Sequence, residues 1–302
     1  MKPTKFAPPA TLERLAAGVY AYVQPDGSWC LNNAGVVVRG DDVLLVDTAA
    51  TERRARALGT ALRRVTAASP RIVVNTHFHG DHTFGNSILG PHATVVAHHN
   101  ARTEMADTGL GLQQLWPDVE WGAVDVRLPD LTYQDELVLH VGDVRVELFH
   151  PGPAHTLTDT VAWIPEHAVL FAGDVVMNGV TPFCLMGSIE GSLRAIDRLR
   201  ALRPRTVVPG HGPVGGPEMF DETAAYLRWV LETARAGTRA GHTPQETARR
   251  AARHPFRHLL DAERLLPNLM RAYAELAGST LDVLPAFAEM VRFHGRLPTC
   301  HA

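Results

Sequence analysis

The stretch Asn75-Thr76-His77-Phe78-His79-Gly80-Asp81-His82 follows directly on the apolar run Ile72-Val73-Val74 and holds four potential metal ligands in six residues. A short apolar run bounded by polar residues reads as a buried strand, so the motif sits at a strand end. In extended chain, residues two apart project to the same side, which lets His77 and His79 share one metal. Gly80 then lets the backbone turn and aim Asp81 and His82 at a second position nearby. One short segment can thus serve two metals.

Working outward, three later positions each offer one more ligand in a loop after a β-rich run. They are His155 in Gly152-Pro153-Ala154-His155-Thr156, Asp174 in Ala172-Gly173-Asp174, and His211 in Pro209-Gly210-His211-Gly212. A single histidine is more often an ordinary polar residue. Seven such groups at Gly-flanked strand ends have no packing rationale, because burying that many ionisable side chains without a metal is costly. Imidazoles and carboxylates with no thiolate suit two Zn(II), with Mn(II) or Fe(II) also compatible. His98, His99, His254 and His258 lack such company and read as surface or helix histidines.

After an irregular start, runs 18–23, 33–38 and 43–47 read as an antiparallel meander, and 51–68 carries Leu58, Leu62 and Val65 at helical spacing. Runs 137–141 and 144–149 flank Gly142-Asp143 as a hairpin. Runs 160–164, 168–171 and 206–208 read as further strands, with an amphipathic helix over 192–202. From Pro217 strand patterns stop. Asp221 reads as the cap of a helix through Ala234, Thr243-Pro244 as an N-cap followed by proline, and 261–277 and 281–294 as further helices. The expected organisation is an α/β catalytic domain over 1–216 with a helical region, 217–302, packed on it.

Over the 302 residues, 45% are hydrophobic and 20% charged, as in a soluble globular chain. No window approaches the roughly 18 consecutive apolar residues of a membrane span. Lys2 and Lys5 are followed by Pro8, Pro9 and Glu13 instead of an apolar leader, so a cytoplasmic location is expected. Cys30, Cys184 and Cys300 form no C-x-x-C pair, which argues against a disulfide scaffold or a cysteine-only zinc site. A net charge of -3 offers no field to attract nucleic acid or an anionic membrane.

His77-x-His79-x-Asp81-His82 followed by His155, Asp174 and His211 resembles the metallo-β-lactamase superfamily over about residues 15–215. The resemblance implies an α/β fold, the αβ/βα four-layer sandwich of two ββα halves, the second restarting near Leu137. It assigns His77, His79 and His155 to one metal, Asp81, His82 and His211 to the other, and Asp174 as a bridge. Secreted β-lactamases of this fold use a cysteine in the second metal site, where this chain has Asp174, which argues against antibiotic hydrolysis as the native task. Di-iron flavoprotein relatives place an acid where His79 stands, and nuclease relatives need basic surface that this charge balance does not supply.

Further stretches resemble bacterial aromatic (type II) polyketide cyclases, of the kind that close the second ring in actinorhodin-type pathways. These are Trp29-Cys30-Leu31-Asn32-Asn33-Ala34-Gly35, Phe171-Ala172-Gly173-Asp174-Val175-Val176-Met177, Gly179-Val180-Thr181-Pro182-Phe183 and Leu297-Pro298-Thr299-Cys300. That resemblance implies aldol ring closure and dehydration of a polyketide held on an acyl carrier protein, with thioester hydrolysis as a companion reaction. Asp81 and Asp174, with a metal-held hydroxide, are the candidate catalytic groups. Phe78, Met177, Phe183, Leu185 and Met186, next to ligands or in the loop after Asp174, are candidates for an apolar substrate wall, with Trp29 and Trp116 behind them. The alternative reading is a glyoxalase II-like thioesterase or lactonase, and a non-catalytic metal protein is a third. The sequence leaves the oligomeric state open, a homodimer among the options.

Overall fold

A computed structural model describes residues 9–302; the stretch with Lys2, Lys5 and Pro8, read above for a leader, lies outside the described residues. Seven strands form the first sheet in chain order: β1 (Thr11–Ala16), β2 (Val19–Val23), β3 (Ala34–Arg39), β4 (Asp42–Val46), β5 (Ile72–Val74), β6 (Thr94–His98) and β7 (Leu131–Tyr133). The first four pair antiparallel, as the meander predicts, and β4 to β7 pair parallel. The second sheet begins at the expected restart with β8 (Glu136–Val141) and β9 (Val144–Phe149), paired as a hairpin. It continues through β10 (Val161–Ile164) and β11 (Val169–Met177) to β12 (Thr206–His211), which runs parallel to β11.

Strand alternation builds the layers. Leu44 and Val46 of β4, with Val74 and Val96, face Leu148, Ile164, Phe171 and Val208 of the other sheet. Val43, Leu45, Val73 and Val95 point the opposite way, against Leu62 of α1 (Glu52–Leu62) and Leu89 of α3 (Asn86–Leu89). Between these two helices lies the single turn α2 (Gly80–Thr83). On the far face of the second sheet, Leu170 and Ala172 pack with Ile196 and Leu199 of α6 (Ile189–Ala201), Leu227 of α7 (Glu218–Arg239) and Leu269 of α9 (Leu265–Ala277). The result is the helix-sheet-sheet-helix order of the metallo-β-lactamase sandwich. The elements α4 (His99–Thr108), α5 (Leu112–Leu115), α8 (Pro244–Arg250) and α10 (Val283–His294) complete the chain. Thr243 caps α8 in a capping box with Glu246, as its Thr-Pro signature predicts.

Several elements differ from the sequence reading. The irregular start is the edge strand β1, whose half-exposed residues show no alternation to detect. The three-residue β7 is too short for a periodic signal. The strands read over 168–171 and 206–208 each extend to the centre, because Gly173-Asp174 and Pro209-Gly210, which read as breakers, are accommodated by shifts in the β11–β12 register. Finally, α7 starts at Glu218, so Asp221 lies in its first turn instead of capping it.

Candidate metal centre

β5 delivers the chain into His77, and the Thr76 amide and hydroxyl both donate to Asp47 at 2.7 Å. With its own proton so used, the Thr76 oxygen accepts from His77 Nδ1, 3.0 Å away, and His77 Nε2 is left free. The same logic repeats around the site. His82 Nδ1 donates to Asp47 Oδ2 at 2.8 Å, His211 Nδ1 to the Gly27 carbonyl at 2.9 Å, and His155 Nδ1 to the Phe183 carbonyl. Each bond orients its ring and turns an Nε2 inward.

The structure brings all seven sequence-predicted ligands into two adjoining groups. His77, His79, His155 and Asp174 form one, and Asp81, His82 and His211 the other, with donor atoms in each group within 4.8 Å of one another. His79 Nδ1 lies 3.0 Å from both His77 Nε2 and His155 Nε2. Asp174 reaches across the divide: one oxygen is 3.3 Å from His155 Nε2 and 3.5 Å from His211 Nε2, the other 3.2 Å from His82 Nε2. His79 and Asp81 are the most open of the seven, so the centre faces outward at them.

Electrostatics argue for a cation here. Burial pushes the His77 and His155 imidazoles below their ordinary range, and burial with His155 lowers His79 to about 3, so these three stay neutral. Burial would raise Asp81, but His82 and the hydrogen bond from His211 hold it below the usual carboxylate range. Burial would likewise neutralise His82, but Asp174, Asp47 and Asp81 overcome it and raise its pKa. Three buried carboxylates, Asp47, Asp81 and Asp174, thus crowd around His82, whose Nε2 lies 3.2 Å from Asp174 Oδ1 without either atom having a well-aligned hydrogen-bond partner. Three imidazole nitrogens converging to 3.0 Å, beside buried carboxylates with few donors to satisfy them, fit divalent metal ions.

Two glycines matter through space. Gly80 has an ordinary backbone, contrary to the turning role read for it; a Cβ there would lie 2.4 Å from the Phe84 ring. At Gly210 a Cβ would fall 1.8 Å from Asp174 Oδ1, so β12 can approach the bridging carboxylate only without a side chain. Asp174 itself stands within β11, not in a loop, and the positive φ of Gly173 breaks the register there and turns the carboxylate toward the centre.

The metallo-beta-lactamase superfamily matches residues 27–211, more than half of the chain and every ligand above. The chain belongs to this superfamily. A metallo-beta-lactamase type 2 of Bacteroides fragilis is 23% identical over 242 residues, which cover 77% of this chain and 91% of that protein. A hydroxyacylglutathione hydrolase of Methylococcus capsulatus is 28% identical over 138 residues, 45% of each chain. A linear primary-alkylsulfatase of Pseudomonas sp. is 22% identical over 234 residues, 62% of this chain and 43% of that one. Among solved structures, DIM-1 metallo-beta-lactamase shares the fold with a TM-score of 0.60 at 20% identity, covering 74% of this chain and 99% of that one. Membership places the chain among the metallo-β-lactamase-fold, metal-dependent hydrolases. No helix among the described residues is long and apolar enough to cross a membrane.

In this metallo-β-lactamase-fold protein the candidate wall residues divide. Met177, Phe183 and Leu185 share one apolar cluster with Trp116 and Phe287, while Phe78 packs with Ala97, Ala101, Met105 and Met186 in another. The two flank the centre, for Met186 Sδ lies 3.1 Å from His79 Nε2. The first cluster has Trp29 at its middle, 5.7 Å from Trp116, 5.3 Å from Phe183 and 6.2 Å from Phe287 between ring centroids. Sequence reasoning set the two tryptophans behind the other wall candidates and missed three supports. Asp47 orients Thr76 and His82. Asp159 accepts from the Thr156 and Ala154 amides on either side of His155. Arg264, 2% exposed, stacks 4.1 Å over Trp29 and donates to the Thr181 carbonyl. Asp47 ends a strand beside the motif and was detectable as an acid at a strand end; Arg264 carries no local signal.

Proposed function

We propose that this chain is a zinc-dependent aromatic polyketide cyclase that performs second-ring aldol closure and dehydration on a carrier-bound polyketide, with thioester hydrolysis on the same site. The observation that carries the reading is the pairing of a seven-ligand centre with an aromatic cluster built from Trp29, Trp116, Phe183 and Phe287 beside it. Flat conjugated rings stack on such a cluster, whereas a small acyl group has no use for it.

His77, His79, His155 and Asp174 would hold one zinc and Asp81, His82 and His211 the other, Asp174 serving both. When bound, the pair supplies Lewis acidity toward a ketone or thioester carbonyl and activates water at neutral pH. The chain's own side chains do the rest. Asp47, Gly27 and Phe183 hold three imidazoles in the tautomer the centre needs. The Asp81 carboxylate, ionised and at the open side, accepts in turn the two protons of the carbon between two ketones, passing the first to the new alkoxide and the second to the hydroxyl, which leaves as water as the double bond forms. The aromatic cluster orients the substrate and keeps bulk water from the enolate.

A glyoxalase II-like thioesterase is the second reading, favoured by the likeness to hydroxyacylglutathione hydrolase. Incubation of the zinc-loaded protein with an aromatic polyketide synthase reconstituted up to first-ring formation separates the two by mass spectrometry. A chelator-sensitive shift from shunt products to a bicyclic aromatic supports the cyclase. Uncyclised free acid makes the protein a thioesterase, and unchanged products overturn both polyketide readings.

A further inference from the structure

The C-terminal segment beyond α10 does not trail away from the body. Trp116 Nε1 donates to the Pro298 carbonyl at 2.7 Å, and the His301 amide donates to the Trp29 carbonyl at 3.2 Å. Arg54 also binds the His301 carbonyl. These bonds lay residues 298–302 alongside Trp29 and Cys30 as a strap over the aromatic cluster that adjoins the metal centre. Cys300 packs against that cluster, of which Cys30 is a buried member. The bond between the His301 amide and the Trp29 carbonyl sets Cys300 beside Cys30, close enough for each thiol to shift the other. Two of the three cysteines thus meet at the junction of strap and cluster, joined from opposite ends of the chain.

We propose that Cys30 and Cys300 are a redox latch, in which a disulfide between them pins the strap and closes access to the metal centre. The regulation of turnover rests on the function proposed above; the latch itself does not. With a low-molecular-weight disulfide such as oxidised glutathione, the half-buried Cys300 attacks as thiolate, forms a mixed disulfide and releases one glutathione. Cys30 then attacks the Cys300 sulfur and releases the second. Two electrons pass to the oxidant, and the two thiol protons end on the two glutathiones. Cys300 is the more exposed of the two and Cys30 is buried, which suits Cys300 as the first nucleophile. Cys184 stands apart, with burial pushing it up to about 12 and only Ser192 beside its sulfur.

The test treats the full zinc-loaded chain with oxidised glutathione, alkylates the remaining thiols and maps the peptides. A cross-linked peptide joining Cys30 to Cys300, with Cys184 alkylated, is expected. So are slower release of zinc to a chelator and loss of most turnover, both reversed by dithiothreitol and both absent in Cys300→Ser. Glutathione adducts without a cross-link, a cross-link that leaves zinc release unchanged, or equal inhibition of Cys300→Ser would each overturn the latch. Cross-link and zinc release are read without substrate, so lack of turnover in both redox states sinks only the proposed function.

Discussion

The metal centre and the aromatic cluster beside it are built in opposite ways. The centre draws four of its seven ligands from one segment, and hydrogen bonds to Asp47, Gly27 and Phe183 fix its imidazoles. The cluster gathers Trp29, Trp116, Phe183 and Phe287 from four distant places and is held by ring contacts and a buried arginine. Changes in the first should alter metal binding and rate while sparing the fold; changes in the second should alter stability and substrate affinity while sparing the metals.

The largest effect is expected from Asp174→Ala, which removes the side chain shared by both groups. Loss of several kcal/mol of transition-state stabilisation corresponds to a fall in turnover of about 10³-fold or more. Circular dichroism should show the fold retained, and an unfolded variant would break the comparison. Asp81→Ala or His82→Ala should empty mainly the second group, so elemental analysis should find one metal retained; two full sites with unchanged rate would refute the assignment.

Next is Phe287→Ala, which opens a buried aromatic site. It should cost about 3–5 kcal/mol in chemical denaturation and raise KM, with metal content unchanged. Asp47→Asn leaves every ligand in place but weakens the bond that orients His82. Metal affinity should fall about 10–100-fold in a competition titration, without a matching loss of stability.

The effect confined to the narrowest range of conditions concerns Asp159, whose buried carboxyl is pushed up to about 7 from an ordinary 3.8. The native state then holds this proton more tightly than the unfolded chain. Its contribution to stability is present in acid and is lost as pH rises through the window between those values. In Asp159→Asn that slope should be absent from a plot of melting temperature against pH, whereas an unchanged slope would assign it to other groups.

This contrast also explains what was legible. The ligands could be read because His77 to His82 are nearly contiguous and the other three stand beside glycines near the ends of β-rich runs; single strands and α1 could be read because their periods are local, while the sandwich followed from the resemblance that the ligand pattern carries. The cluster could not, since nothing in the neighbourhood of Trp29 or Arg264 announces that they stack. The ends of β11 and β12 were hidden for a related reason: Asp174 and Gly210 look like breakers until their contact across the two strands is seen. Trp29 and Trp116, set behind the other wall candidates in the sequence, share one cluster with Phe287 of the helical region.

The central claim is that seven side chains hold two ions through one shared carboxylate. Zinc titration of the metal-free protein, with bound metal counted by elemental analysis after gel filtration, tests it most directly. Two ions per chain in the wild type, with both sites weakened together in Asp174→Ala, is the predicted result. A single ion at saturating zinc, or two ions bound undiminished by Asp174→Ala, would contradict it.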